Sequence, residues 1–202
     1  MKILGTLVVL FAVLLSGSFA LAEEPGKAHA YVGARKCKTC HGKEPIGNQH
    51  GSWLETSHAK ALETLATDKA KEWASEANVA DPQNDEKCVK CHITAYGVSE
   101  ELLGRKYDRS EGVQCEACHG GGKDYRKKKY MVDREVAESR GLIPQNAEVC
   151  LVCHNDESPA WDPERYTLAD GTKAGFDYDQ AVAAIAHPVP EGYDPSAEGG
   201  AD

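Results

Sequence analysis

All eight cysteines and four of the eight histidines fall into four copies of one five-residue pattern. They are Cys37-Lys38-Thr39-Cys40-His41, Cys88-Val89-Lys90-Cys91-His92, Cys115-Glu116-Ala117-Cys118-His119 and Cys150-Leu151-Val152-Cys153-His154. C-x-x-C-H is the attachment signature of c-type haem. Two thiols add to the two vinyl groups of a porphyrin, and the adjoining imidazole binds the iron as proximal ligand. Two intervening residues let both sulfurs reach one edge of the ring while the next side chain turns inward. Zinc sites and thioredoxin-like motifs also use C-x-x-C pairs, but neither needs a histidine directly after the second cysteine. No thiol is left over for a disulfide. The expected cofactors are four covalently bound haem c groups, with His41, His92, His119 and His154 as proximal ligands.

Four irons also need distal ligands, and four histidines lie outside the motifs: His29, His50, His58 and His187. His58 stands in an apolar stripe of Trp53, Leu54, Ala61, Leu62 and Leu65 at three- and four-residue steps, which predicts a helix from Ser52 to about Ala77 with Asn78 as its stop. His187 follows a helical pattern over Tyr178–Ala186, immediately before Pro188, which should end that helix. Both are read as distal ligands. His29 is expected on an extended polar arm over 23–34, and His50 in a Gly/Pro-bearing loop.

The elements that must carry these groups are short. A turn-rich linker (81–86) precedes the second motif, and Gly120–Gly122 follows the third, where glycine lets backbone approach a flat ring. The basic run Arg126–Lys129 reads as solvated surface, with pairing to haem propionates as the alternative. A short helix is expected over 133–140, closed by Gly141. The start, Met1-Lys2 followed by an apolar run to Leu15 and Ala20-Leu21-Ala22, predicts a signal peptide over 1–22. No later stretch is apolar enough to cross a bilayer, so no stable membrane insertion is expected after cleavage. About 180 of the 202 residues then form one domain over 23–202, with a disordered acidic tail over about 191–202. About 45 residues per haem cannot wrap each ring in a separate protein core, so the haems must lie together and supply much of the core. A net charge of −9 argues against a nucleic-acid partner and for docking proteins with basic faces. Covalent haem attachment of this type, with the signal peptide, predicts a periplasmic or exported protein.

The chain resembles the tetrahaem cytochrome c-554 family. The resemblance rests on YVGARKCKTCH at 31–41, WLETSHAKALETL at 53–65, KCVKCHITAYG at 87–97, GVQCEACHGGG at 112–122, VCLVCHN at 149–155 and FDYDQAVAAIAHPVP at 176–190. It implies a mainly α fold, helices and long loops wrapped around stacked haems with little β structure, and it implies electron transfer. By that resemblance His58 serves the third haem and His187 the fourth, and the second haem, on His92, is five-coordinate. The family pattern has a histidine shortly after the third motif, where this chain reads DYRKKKYMVDR. The first haem therefore draws its distal ligand from His29, His50, Met131 or a lysine of the basic run.

Three functional readings follow. The first is a soluble carrier exchanging electrons with redox partner proteins through closely packed haems. The second is reduction of a small nitrogen oxide at a five-coordinate iron. The third is an oligomer or filament in which a mobile arm bearing His29 reaches the haem of the next subunit.

Overall fold

The computed structural model describes residues 28–194. The expected signal peptide (1–22) and residues 195–202 of the expected tail lie outside them. The described residues form ten α-helices, none longer than nine residues, and one two-stranded sheet. In chain order the helices are α1 Ala34–His41, α2 Gln49–Leu54, α3 Ala61–Thr64, α4 Asp68–Glu76, α5 Glu86–His92, α6 Cys115–His119, α7 Lys128–Met131, α8 Arg134–Glu138, α9 Ala147–Leu151 and α10 Tyr178–Ile185. Strands β1 Tyr166–Thr167 and β2 Lys173–Ala174 pair antiparallel. The mainly helical expectation holds. No helix of the described residues is long and apolar enough to cross a membrane.

Local chemistry sets the helix ends. Asp85, Asp133, Asn146 and Asp177 each accept a backbone N–H in the first turn of α5, α8, α9 and α10. Such side-chain caps satisfy donors that have no intrahelical partner. Asn78, in the left-handed region at φ 56°, stops α4 as expected. The continuous helix expected from Ser52 to Ala77 is instead three pieces. The Thr56 hydroxyl donates to the Trp53 carbonyl, and Thr67 caps α4 by accepting from Ala70. Hydroxyls near the backbone offer it such alternatives to a continuing helix. His58 consequently lies in a turn between α2 and α3 rather than in mid-helix.

The apolar protein core is small: Val32, Ala34, Ile46, Ala61, Leu65, Ala74, Val79, Val89, Tyr125 and Ala137. The largest fully buried side chains are polar ones, Gln114, Glu116 and Thr94. Both carboxylate oxygens of Glu116 accept backbone N–H groups, from Val32 at 2.8 and 3.0 Å, Gly33 at 2.7 Å and Gly122 at 2.6 Å. Gln114 accepts from Ala34 N–H at 2.8 Å and donates to the Asp108 carbonyl at 2.8 Å. Thr94 accepts the Gln114 N–H at 2.6 Å. These bonds fasten the chain before the first motif to the helix of the third. The segment expected to be a free arm is therefore, over its described residues, a packed strand-like segment. Its Tyr31 donates to Leu102 and accepts from Gly104, each at 2.8 Å, and Val32 and Ala34 are buried.

Candidate haem-attachment centre

Each C-x-x-C-H motif lies on a short helix or its last turn: α1, α5, α6, and α9 with the turn after it. Positions i, i+3 and i+4 share one helix face. Both thiols and the imidazole of each motif therefore look the same way, as attachment to one ring and its iron requires. The thiols pair by motif. Cys37 and Cys115 lie close enough to perturb each other's ionisation, as do Cys91 and Cys153, and α1 packs on α6. Motif one thus lies against motif three, and motif two against motif four. Motifs two and three, whose starts at Cys88 and Cys115 are the nearest two along the chain, are not paired in this way.

Three proximal imidazoles have a hydrogen-bonding group at Nδ1. His92 donates from Nδ1 to the Ala61 carbonyl at 2.7 Å. The Gln49 amide oxygen stands 3.3 Å from His41 Nδ1. The Gln145 amide nitrogen, which donates to the Cys118 and Ile143 carbonyls, stands 3.4 Å from His119 Nδ1 as a donor. A metal-bound histidine usually donates from its second nitrogen to an acceptor, as His92 does and as Gln49 allows for His41, which orients the ring and leaves Nε2 for the metal. His154 is held differently, stacked on Phe176 with ring centres 5.5 Å apart.

Two distal candidates face motif histidines. His58 and His154 have ring centres 6.0 Å apart, and so do His187 and His119. Two imidazoles on opposite sides of one metal ion, at about 2.0 Å each, bring their ring centres to about 6 Å. The spacing therefore suits one iron between each pair. The partners are exchanged relative to the expectation: His58 meets the fourth motif and His187 the third. A cause lies in the backbone of the turn bearing His58. The His58 carbonyl accepts from Val113 N–H at 2.9 Å, just before α6, and a Cβ on Gly112 would come within 2.7 Å of the same oxygen. This clamp ties the backbone of His58 to motif three while its ring reaches motif four.

Burial keeps these imidazoles neutral, as ligation demands. It pushes His119 down to about 4, helped by the neighbouring His187 and His41. Burial, then His154, lowers His58, and burial, then Arg165, lowers His154. Burial of its inner side, then the neighbouring His41, lowers His187, which is otherwise exposed.

The second motif is different. Beside His92 lies a cleft of about 100 Å³, walled by Thr64, Leu65, Ala70, Trp73 and Ala74 and by Ser158–Ala160. Its lining includes no histidine or methionine besides His92 itself. His50 and His29 also stand apart from the paired rings. His50 is buried against Trp53, ring centres 5.3 Å apart, and faces a cleft shared with Arg35 and Lys38 of α1. Lys38 belongs to the first motif, so His50 stands beside that motif, with its ring packed on Trp53. His29 is bonded to Asp124 at 2.8 Å. In the basic run Arg126–Lys129 are exposed, and Arg126 is close enough to Cys37 for its charge to favour the thiolate. Sequence reading missed Glu116, Gln114 and Thr94. A carboxylate between the two cysteines of a motif was the available signal for the first.

The donor set fits covalent haem: eight thiols in matched pairs, four adjoining imidazoles, two further imidazoles at bridging distance and little apolar core without a ring to complete it. The family described as "Cytochrome c554 and c-prime" matches residues 36–120. Over 202 residues the chain is 28% identical to cytochrome c-554 of Nitrosomonas europaea, covering 90% of this chain and 82% of that one. Its fold is similar to the solved reduced state of that cytochrome, with a TM-score of 0.50 at 24% identity over 79% of each chain.

Proposed function

We propose that the chain is a member of the tetrahaem cytochrome c-554 family, to which it is similar in sequence and fold, and that it is a periplasmic one-electron carrier with one covalently bound haem c at each of its four motifs. Covalently attached haem supplies a reversible one-electron couple at iron. The protein's part is to hold, orient and close. Cys37 and Cys40, Cys88 and Cys91, Cys115 and Cys118, and Cys150 and Cys153 anchor the rings. His41, His92, His119 and His154 ligate from one side. His58 ligates opposite His154, and His187 opposite His119.

The supporting observation is the pair of histidine–histidine contacts at 6.0 Å. Two strong donors close an iron to substrates and suit it to electron exchange. The contacts of motif one with three and of two with four bring the rings together in pairs, which favours passage of electrons along the set. The cleft beside His92 supports a vacant coordination position there. Besides His92 and the cysteines, its ionisable lining groups are Lys87, Lys90 and Glu157; Lys90 and Glu157 are paired with each other and Lys87 donates to the Ala77 carbonyl, so each is already engaged rather than held ready to deliver a proton for nitrogen-oxide reduction. The carrier reading is therefore preferred to the reductase reading. The filament reading loses its main feature, because the described end of the arm is packed within its own chain.

Stopped-flow reduction and reoxidation by a small redox protein, set against steady consumption of nitric oxide or hydroxylamine in the same preparation, separates these readings. Fast exchange with negligible substrate turnover is expected. Rapid turnover abolished by a ligand that blocks the His92 iron would establish the enzyme instead. N-terminal sequencing of the periplasmic fraction should begin at Glu23.

A further inference from the structure

We propose that His29 is the distal ligand of the first haem, opposite His41, and that Asp124 holds its imidazole in place for that task. This inference rests on the haem reading above. It supplies the ligand left unassigned because residues 120–153 contain no histidine.

Of the other histidines outside the motifs, two face motif histidines and the third is packed on Trp53. His58 and His187 face the fourth and third motifs. His50 shares a cleft with Arg35 and Lys38 of α1. The Lys129 ammonium lies over the Tyr130 ring, 5.3 Å from its centre. His29 has the geometry of a ligand. Its Nδ1 is 2.8 Å from an Asp124 carboxylate oxygen, so Nδ1 carries the proton and Nε2 keeps the lone pair. No partner of Nε2 occurs among the described residues. A Cβ built on Gly141 would lie 2.7 Å from both Cγ and Nε2 of the ring, and closest to the Cδ2 between them. These distances place Gly141 over the flat face of the imidazole, so Gly141 itself does not block the in-plane direction of Nε2. Gly141 is also at φ 100°, so a larger residue is excluded on two counts.

The location agrees. Lys123 N–H donates to Ala30 at 3.1 Å, holding the segment with His29 against the turn after the third motif. The next residues of that turn, Tyr125 and Arg126, are electrostatic neighbours of Cys37. His29 and the first attachment cysteine thus approach one turn, Asp124–Arg126, from two sides. The family's histidine after the third motif is replaced here by one that precedes the first motif and is fastened to the same turn.

The test uses the holoprotein. A pyridine haemochrome assay first counts haem; fewer than four per chain would overturn the haem reading itself. With four present, low-temperature EPR of His29→Ala should show one low-spin iron turned high-spin, and added imidazole should restore it. Asp124→Asn should leave that iron low-spin but raise its midpoint potential, because a neutral amide makes the imidazole a weaker donor. Four haems with an unchanged spin count in His29→Ala would overturn the proposal. So would an unchanged set of four potentials in Asp124→Asn.

Discussion

Motifs one and three meet around a buried carboxylate, whereas motifs two and four meet beside an exposed ion pair. In the first region Glu116, Gln114 and Thr94 are all about 1% exposed and bond to the backbone on both sides. In the second, Lys90 of motif two bonds to Glu157 just after motif four at 2.6 Å, with both side chains largely in water. The first region is organised by protein atoms. The second has buried apolar residues on the side of motif two, Leu65, Ala74 and Val89, but between motifs two and four it has only the exposed pair, so that junction depends more on the rings attached to it. Polar bonds sealed from water are strong because their loss strands unsatisfied groups; exposed ion pairs are weak because water replaces them.

The largest expected effect is therefore at Glu116. Glu116→Ala strands the backbone donors of Val32, Gly33 and Gly122, at about 1–3 kcal/mol each. A loss of several kcal/mol should lower the melting temperature of the holoprotein by on the order of 10 °C. Glu116→Gln should recover part of it, since the amide oxygen still accepts. A melting curve unmoved by Glu116→Ala would break the contrast between the two regions.

Ligand loss comes next, and it can decide the exchanged pairing. His58→Ala and His187→Ala should each turn one low-spin iron high-spin and raise its potential. In a protein without the fourth haem (Cys150→Ala with Cys153→Ala), His58→Ala should add no further high-spin signal. Without the third (Cys115→Ala with Cys118→Ala), His187→Ala should be the silent one. The reverse pattern would restore the pairing expected from the resemblance. A smaller effect is expected from Leu65→His, which places a donor in the wall of the cleft beside His92. It should diminish the high-spin EPR signal and carbon monoxide binding and, because Leu65 is buried, lower the melting temperature by a few degrees.

Much of this centre was legible in the sequence because its chemistry is local. C-x-x-C-H places two thiols and an imidazole on one helix face without help from distant residues, and the capped helices at 134–138 and 178–185 announce themselves through Asp133 and Asp177. The break near His58 was not legible: the apolar stripe from Trp53 to Leu65 is continuous, and only the hydroxyl of Thr56 bonding back to Trp53 interrupts it. Which distal histidine meets which motif was hidden for a different reason. It depends on a contact between residues far apart in the chain, Val113 with His58, and on Gly112 being small enough to admit it. The packed state of the segment before Ala34 was equally non-local, since it depends on a glutamate more than 80 positions away.

The smallest effect should come from the ion pair that marks the second region. Its hydrogen bond holds the Glu157 carboxyl below the ordinary carboxylate range and the Lys90 ammonium above its own. A lowered carboxyl contributes above its unfolded value and loses that contribution as pH falls. A raised ammonium contributes below its unfolded value and loses it as pH rises. Any stabilisation is thus complete between about pH 5 and pH 10 and falls away outside that window. Both groups are solvated, so even inside it the gain should vanish into water and salt. Lys90→Ala and Glu157→Ala should therefore leave the melting temperature unchanged at pH 7, in low salt and high salt alike. A salt-sensitive loss approaching that of Glu116→Ala would mean that this pair, and not the attached rings, joins motifs two and four.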